Sequence, residues 1–132
     1  MDTREVCFER QVDLPFDAAV EHCRTALGRE GFGVLTEIDV QQTLKAKLGV
    51  DREPFLILGA CHPPSAHQVL EAVPATGVLL PCNVAVSVEE GQTVVRAMNP
   101  SGVMNLLDNP VVRRVGKSVG RALERVVASL PG

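Results

Sequence analysis

The sequence predicts one compact α/β domain. Three observations predict it. Strand-type runs, alternating or continuously apolar, are interleaved with runs whose apolar residues recur every three or four positions; Gly, Pro and Asn clusters separate them; and 132 residues suffice for one core but would leave two marginal. Apolar residues make up 45% of the chain and charged residues 22%, a globular balance that argues against long disordered segments.

Arg4 to Val12 alternates around Val6, Phe8, Arg10 and Val12 and reads as a half-buried strand with Cys7 on its other face. Leu14-Pro15-Phe16-Asp17 opens a helix that Gly31 closes. Phe16, Val20, Cys23 and Leu27 share one stripe of it, so Cys23 belongs to the core and His22 to the solvated side. Phe32 to Ile38 is the second strand. Asp39 then caps a short helix, with Gln42 in capping-box position, an apolar stripe of Val40, Leu44 and Leu48, and an end at Gly49.

Pro54 to Cys61 is a continuous apolar run, the pattern of a central strand covered on both faces. Pro63 to Val73 reads as a helix because Ala66, Val69, Leu70 and Val73 are helically spaced and Pro63-Pro64 can sit only at its start. Pro74 and Gly77 end it. The segment Val78 to Val88 contains the next strand, pairing in earnest only after Pro81, and Glu89 to Gln92 turns the chain into Thr93 to Met98. A short helical piece from Val103 to Leu107 precedes a long helix from Asn109 or Pro110 to Leu130. The buried stripe of that helix is Val112, Val115, Val119, Ala122, Val126 and Leu130.

Net charge is −3, Trp and Tyr are absent and Phe occurs four times, so both the basic field and the aromatic platforms of nucleic-acid binders are missing. No apolar run reaches the roughly 20 residues of a membrane helix, and the polar start Met1 to Glu5 does not resemble a signal peptide, which points to a cytoplasmic protein. The four cysteines, at 7, 23, 61 and 82, are then expected as thiols; none makes a C-x-x-C pair. Arg113, Lys117 and Arg121 lie on the polar face of the last helix, a solvated surface by default and a face for an anion or acidic partner otherwise.

Familiar catalytic signatures are absent. Gly116-Lys117-Ser118 has Val111 where a phosphate-binding loop needs its first glycine, and Gly31-Phe32-Gly33 follows a helix and lacks a third glycine. Neither a Gly-x-Ser-x-Gly elbow nor a His-Glu-x-x-His motif occurs. The informative constellation is Cys61-His62-Pro63-Pro64 together with Pro81-Cys82-Asn83. If the two strands are antiparallel neighbours, Cys61 and Cys82 approach at one sheet end and could form a disulfide or share a soft metal, with His62 and His67 as further donors. No cofactor is predicted, and such a metal is the lesser reading. The helix start beside Cys61 could also bind an anion or activate the thiol. Against these stands a plain alternative, that both cysteines are small buried hydrophobes.

The runs Gly31 to Val40, Leu44 to Val50, Ile57 to Pro63 and Leu79 to Val84 resemble, in the same order, the domain of unknown function family 302. The resemblance extends from Phe16 to about Pro100. It implies an α+β fold with an antiparallel sheet of about five strands packed by helices, like the TATA-binding-protein class, and often a homodimer; it implies no activity. The family pattern usually has Asn at the place of His62 and Asp at that of Asn99, so this chain gains a titrating group beside Cys61 and lacks a carboxylate before Pro100. The expected function is a thiol-dependent binding or redox and sulfur-accessory protein centred on Cys61 and Cys82, with His62, Pro63, His67 and Asn83 around them. The alternative is a dimeric interaction module without catalysis.

Overall fold

A computed structural model describes residues 2–132. Five strands, five α-helices and one 3-10 helix follow in the order β1 (Cys7–Val12), α1 (Phe16–Arg29), β2 (Gly33–Asp39), α2 (Val40–Leu48), β3 (Phe55–Cys61), α3 (Pro63–Ala72), the 3-10 helix (Pro74–Leu79), β4 (Cys82–Glu89), β5 (Gln92–Met98), α4 (Pro100–Met104) and α5 (Pro110–Ala128). The strands form one open sheet in the order β1-β5-β4-β3-β2, every neighbouring pair antiparallel. The fold is α+β, as the family resemblance implied.

Because side chains alternate across a strand, the register decides what is buried. Leu58 faces Val84 and Leu56 faces Val86, while Val86 and Val84 in turn face Val95 and Ala97 of β5. All six are buried, together with Cys23 and Leu27 of α1 and Leu123 of α5. These residues belong to one core cluster between the helices and a single face of the sheet. Each leucine fully buried there contributes about 1.5–3 kcal/mol relative to exposure. The anticipated stripe of α5, Val112 to Leu130, is buried at every one of its six positions.

Local chemistry sets the ends of the elements. Asp39 accepts a hydrogen bond from the Gln42 backbone N–H at 2.9 Å, as expected of an N-cap, and Gly49 closes α2 in the left-handed region at φ 66°. Glu90 and Gly91, both at positive φ, make the two-residue reversal between β4 and β5. Asn109 caps α5 by accepting from the N–H groups of Val111 and Val112. At the other end of α5, Arg10 of β1 donates to the carbonyl oxygens of Ala128 and Gly132, placing a cation where the helix dipole favours one.

Several boundaries and one stripe differ from expectation. β1 begins at Cys7, and Val6 is exposed. The short helix spans Pro100–Met104 instead of Val103 to Leu107, because Pro100 suits a first helical turn and Asn99 precedes it as N-cap. Pro74 both follows α3 and opens the 3-10 helix, so β4 starts only at Cys82, after the cis Leu80–Pro81 bond. The stripe of α2 is not core: none of its residues is buried and Leu48 is 69% exposed. That helix packs chiefly against β3.

The sheet face away from the core carries a charged cluster. Arg96 of β5 bonds Glu9 of β1, its cross-strand partner, at 2.6 Å and also pairs with Glu89 of β4, which accepts from Ser87 Oγ at 2.7 Å. The hydrogen bond from Arg96, and next that from Ser87, lower the Glu89 carboxyl from 4.5 to about 2. Since the folded value lies below the unfolded one, the stability this group contributes is full above about pH 5 and is lost as pH falls towards about 2. Urea midpoints of wild type and Glu89→Gln are therefore expected to differ at neutral pH and to converge on acidification; a constant difference would contradict this assignment.

Candidate functional site

β3 ends and β4 begins side by side, and a cavity of about 310 Å³ opens at that corner of the sheet. Its walls come from Phe32 before β2, Ala66 and Val69 of α3, Met104 of α4, and Val115 and Val119 of α5. Cys61, His62, Ser65 and Cys82 also line it. Most of this wall is apolar because the corner is built from α3, α5 and the end of the sheet, where Ala60 and Cys82 of one pleat and Cys61 of the other both reach the cavity.

Backbone economy shapes the same corner. Gly59 faces Thr36 across the β2–β3 pair, and a Cβ there would collide with Thr36 Oγ1 and reach to 2.9 Å from Pro81 Cγ. Gly116 lets α4 approach α5, since a Cβ on it would lie 3.3 Å from the Pro100 carbonyl oxygen. The Gly116-Lys117-Ser118 run is thus a helix-packing feature in mid-helix and not a phosphate loop.

The two central cysteines do meet at one sheet end, but not as direct partners. Cys82 pairs with Ala60, and Cys61 with Gly33 on the other side of β3. Cys61 follows Ala60 and therefore points to the opposite pleat from Cys82. Both are free thiols. Cys61 is half-buried, whereas Cys82 is 5% exposed and its thiol is pushed up to about 11, first by burial and then by the nearness of Cys61. Cys23 in the core is likewise held up, to about 12, by burial.

His62 is the N-cap residue of α3, and its Nδ1 lies 2.7 Å from Ser65 Oγ. Its ring stacks obliquely on Phe32, with centroids 5.5 Å apart. Sequence reasoning missed Ser65, although a side-chain pair between N-cap and N3 is the spacing of a capping box. The expected anion site at this helix start is weak. Pro63 and Pro64 have no N–H, and the Ala66 N–H is already spent on the His62 carbonyl oxygen at 3.0 Å.

Pro63, His67 and Asn83 contribute no side chain to the cavity. His22 is exposed as anticipated. Cys61, Cys82 and His62 supply metal-donor types along the cavity wall, but among the described residues no three or more His, Cys, Asp or Glu side chains cluster to hold an ion. On α5, Arg113 pairs with Asp108 at 2.8 Å, while Lys117 and Arg121 stand exposed beside Glu124 and Asn99 around a shallow hollow. Among the described residues no helix is long and apolar enough to cross a membrane.

An open antiparallel sheet covered on one face by helices, with an apolar corner cavity holding a few polar groups, defines a small α+β protein. The family is defined more sharply. Residues 8–130 match the model of the domain of unknown function DUF302, and the chain belongs to that family. A crystal structure of an uncharacterized conserved DUF302 protein from Bacillus stearothermophilus superposes with a TM-score of 0.86 at 27% identity, covering 92% of this chain and 95% of that one. No curated protein matches the sequence.

Exposure and burial predict the order of thiol reactivity. Cys7 and Cys61, both half-buried, should be alkylated in the folded protein, while Cys23 and Cys82 should react only on unfolding. Mass-spectrometric peptide mapping after a short iodoacetamide pulse would show this, and early modification of Cys82 would contradict the placement.

Proposed function

We propose that this protein binds a small, largely apolar molecule in the corner cavity, with Cys61 as the accessible thiol in its wall. The observation that carries the reading is the cavity itself, about 310 Å³ and lined by apolar side chains with a few polar groups, Thr36, Cys61, His62 and Ser65. Its volume is about twice that of an engineered apolar cavity that takes benzene. Ligand sites are generally concave, mostly apolar and furnished with a few placed polar groups. Dithiol redox exchange has less support, because Cys61 and Cys82 occupy opposite pleats and the Cys82 thiol stays protonated at neutral pH. Four free cysteines suit a reducing compartment, which supports a cytoplasmic location as part of this proposal.

The reading is tested by protection of Cys61. Near-saturating p-xylene should slow alkylation of Cys61 several-fold, and Ala66→Phe, which fills the cavity from α3, should abolish that effect. An unchanged Cys61 rate in the presence of xylene would refute it.

A second reading, a homodimer, is favoured by one surface. β2 is an edge strand with an open hydrogen-bonding side, Ile38 on it is 49% exposed, and Leu48 and Val50 on and after α2 are exposed too. An apolar edge of this kind invites pairing with a second copy. Sedimentation of wild type should then report a dimer that Ile38→Lys with Leu48→Glu converts to monomer, whereas a monomeric wild type would remove this reading.

A further inference from the structure

The chemistry of the cavity wall restricts what it can hold. No Lys, Arg, Asp or Glu lines it. The Cys82 thiol there is neutral, held so by burial. The start of α3 offers little to a negative charge, since two of its first residues are prolines and the Ala66 N–H is engaged. An ionised ligand would leave its charge uncompensated among apolar side chains, a heavy desolvation cost.

Hydrogen bonding remains possible at the Thr36 hydroxyl and at one coupled pair, Ser65 with His62. Ser65 Oγ and His62 Nδ1 bond each other at 2.7 Å, and both residues face the cavity. A serine hydroxyl has one donor and two acceptor positions, so the bond to His62 leaves capacity over. When the imidazole accepts the serine proton, Ser65 Oγ can still accept from a ligand hydroxyl. When Nδ1 carries the proton and donates, the serine O–H is free to donate to a ligand carbonyl. In either tautomer the pair offers a position for a single uncharged oxygen function, next to Cys61.

Resting on the reading that the cavity is a ligand site, we infer that its occupant is a neutral, mostly apolar molecule of roughly a dozen heavy atoms or fewer, carrying one hydroxyl or carbonyl oxygen that hydrogen-bonds to Ser65. His62 is a positioning residue in this arrangement. It fixes the Ser65 hydroxyl and is itself fixed by Phe32. The apolar wall sets the size of the occupant.

The experiment compares three probes by calorimetry or chemical-shift titration of the full chain at about pH 8, where carboxylic acids are ionised. They are 1-octanol, octanoate and p-xylene, which share apolar character but carry respectively a neutral oxygen, a charge and no polar atom. Octanol is expected to bind and octanoate to bind more than roughly tenfold more weakly. Ser65→Ala should weaken octanol by about fivefold, the equivalent of one ordinary hydrogen bond, and leave xylene unchanged. Equal affinity for octanol and octanoate, or a Ser65→Ala variant that treats octanol as wild type does, would overturn the inference while xylene binding upheld the site. Failure of xylene and octanol alike would overturn both.

Discussion

The β3–β4 register governs both the core and the candidate site of this molecule. With Leu58 opposite Val84 and Ala60 opposite Cys82, one pleat of two central strands becomes the core face that α1 and α5 cover. A shift of one residue would turn Leu56, Leu58 and Ala60 outward and bring Ile57 and Cys61 under the helices. Such a slip would strip the core of several fully buried side chains, so the register is strongly held. The same offset assigns the cysteines their roles: Cys82 enters the core side and is silenced by burial, and Cys61 remains on the other pleat at the strand end.

Much of this fold is legible in the sequence where periodicity is long. The stripe of α5 is readable because nineteen helical residues repeat the pattern often enough to overcome local ambiguity. The cap at Asp39, the hairpin at Glu90-Gly91 and the core place of Cys23 arise from local chemistry that tertiary context does not oppose. Short elements are less legible. A five-residue helix such as Pro100–Met104 has no periodicity to speak of, and its start is set by Asn99-Pro100, a pair that reads equally as a chain break. The stripe of α2 is real as a pattern but not as a burial, because amphipathicity does not say whether anything covers the apolar side.

The candidate site is legible as an address and not as a geometry. The sequence puts Cys61 and His62 at the end of one strand and Cys82 at the start of another, which meet if the strands pair antiparallel, and all three line the cavity. Sequence does not give the strand register, which depends on long-range packing and separates the two thiols by a pleat. Nor does it give the cavity, which needs α4 and α5, well downstream of Cys61, to supply its far wall. Ser65 escapes notice for a different reason: serine at N3 of a helix is ordinary, and only the partner at N-cap and the cavity beside it make it notable. The weakening of anion binding at α3, in contrast, is written largely in Pro63-Pro64, since a proline nitrogen has no hydrogen to donate.

Two features of α3 that look unrelated act together at this corner. Two prolines start the helix without asking for ligand or solvent to satisfy their nitrogens, which permits an apolar surrounding there. Part of the remaining polarity of the helix start is taken up internally, by Ala66 N–H to the His62 carbonyl and by the Ser65 hydroxyl with the His62 ring, which leaves the Ser65 N–H. A helix start that is nearly self-satisfied can border an apolar cavity at small desolvation cost, whereas one with several free N–H groups would demand water or an anion. The chemistry that removes an anion from consideration is therefore the same chemistry that lets the cavity be apolar up to its polar edge at Cys61, His62 and Ser65.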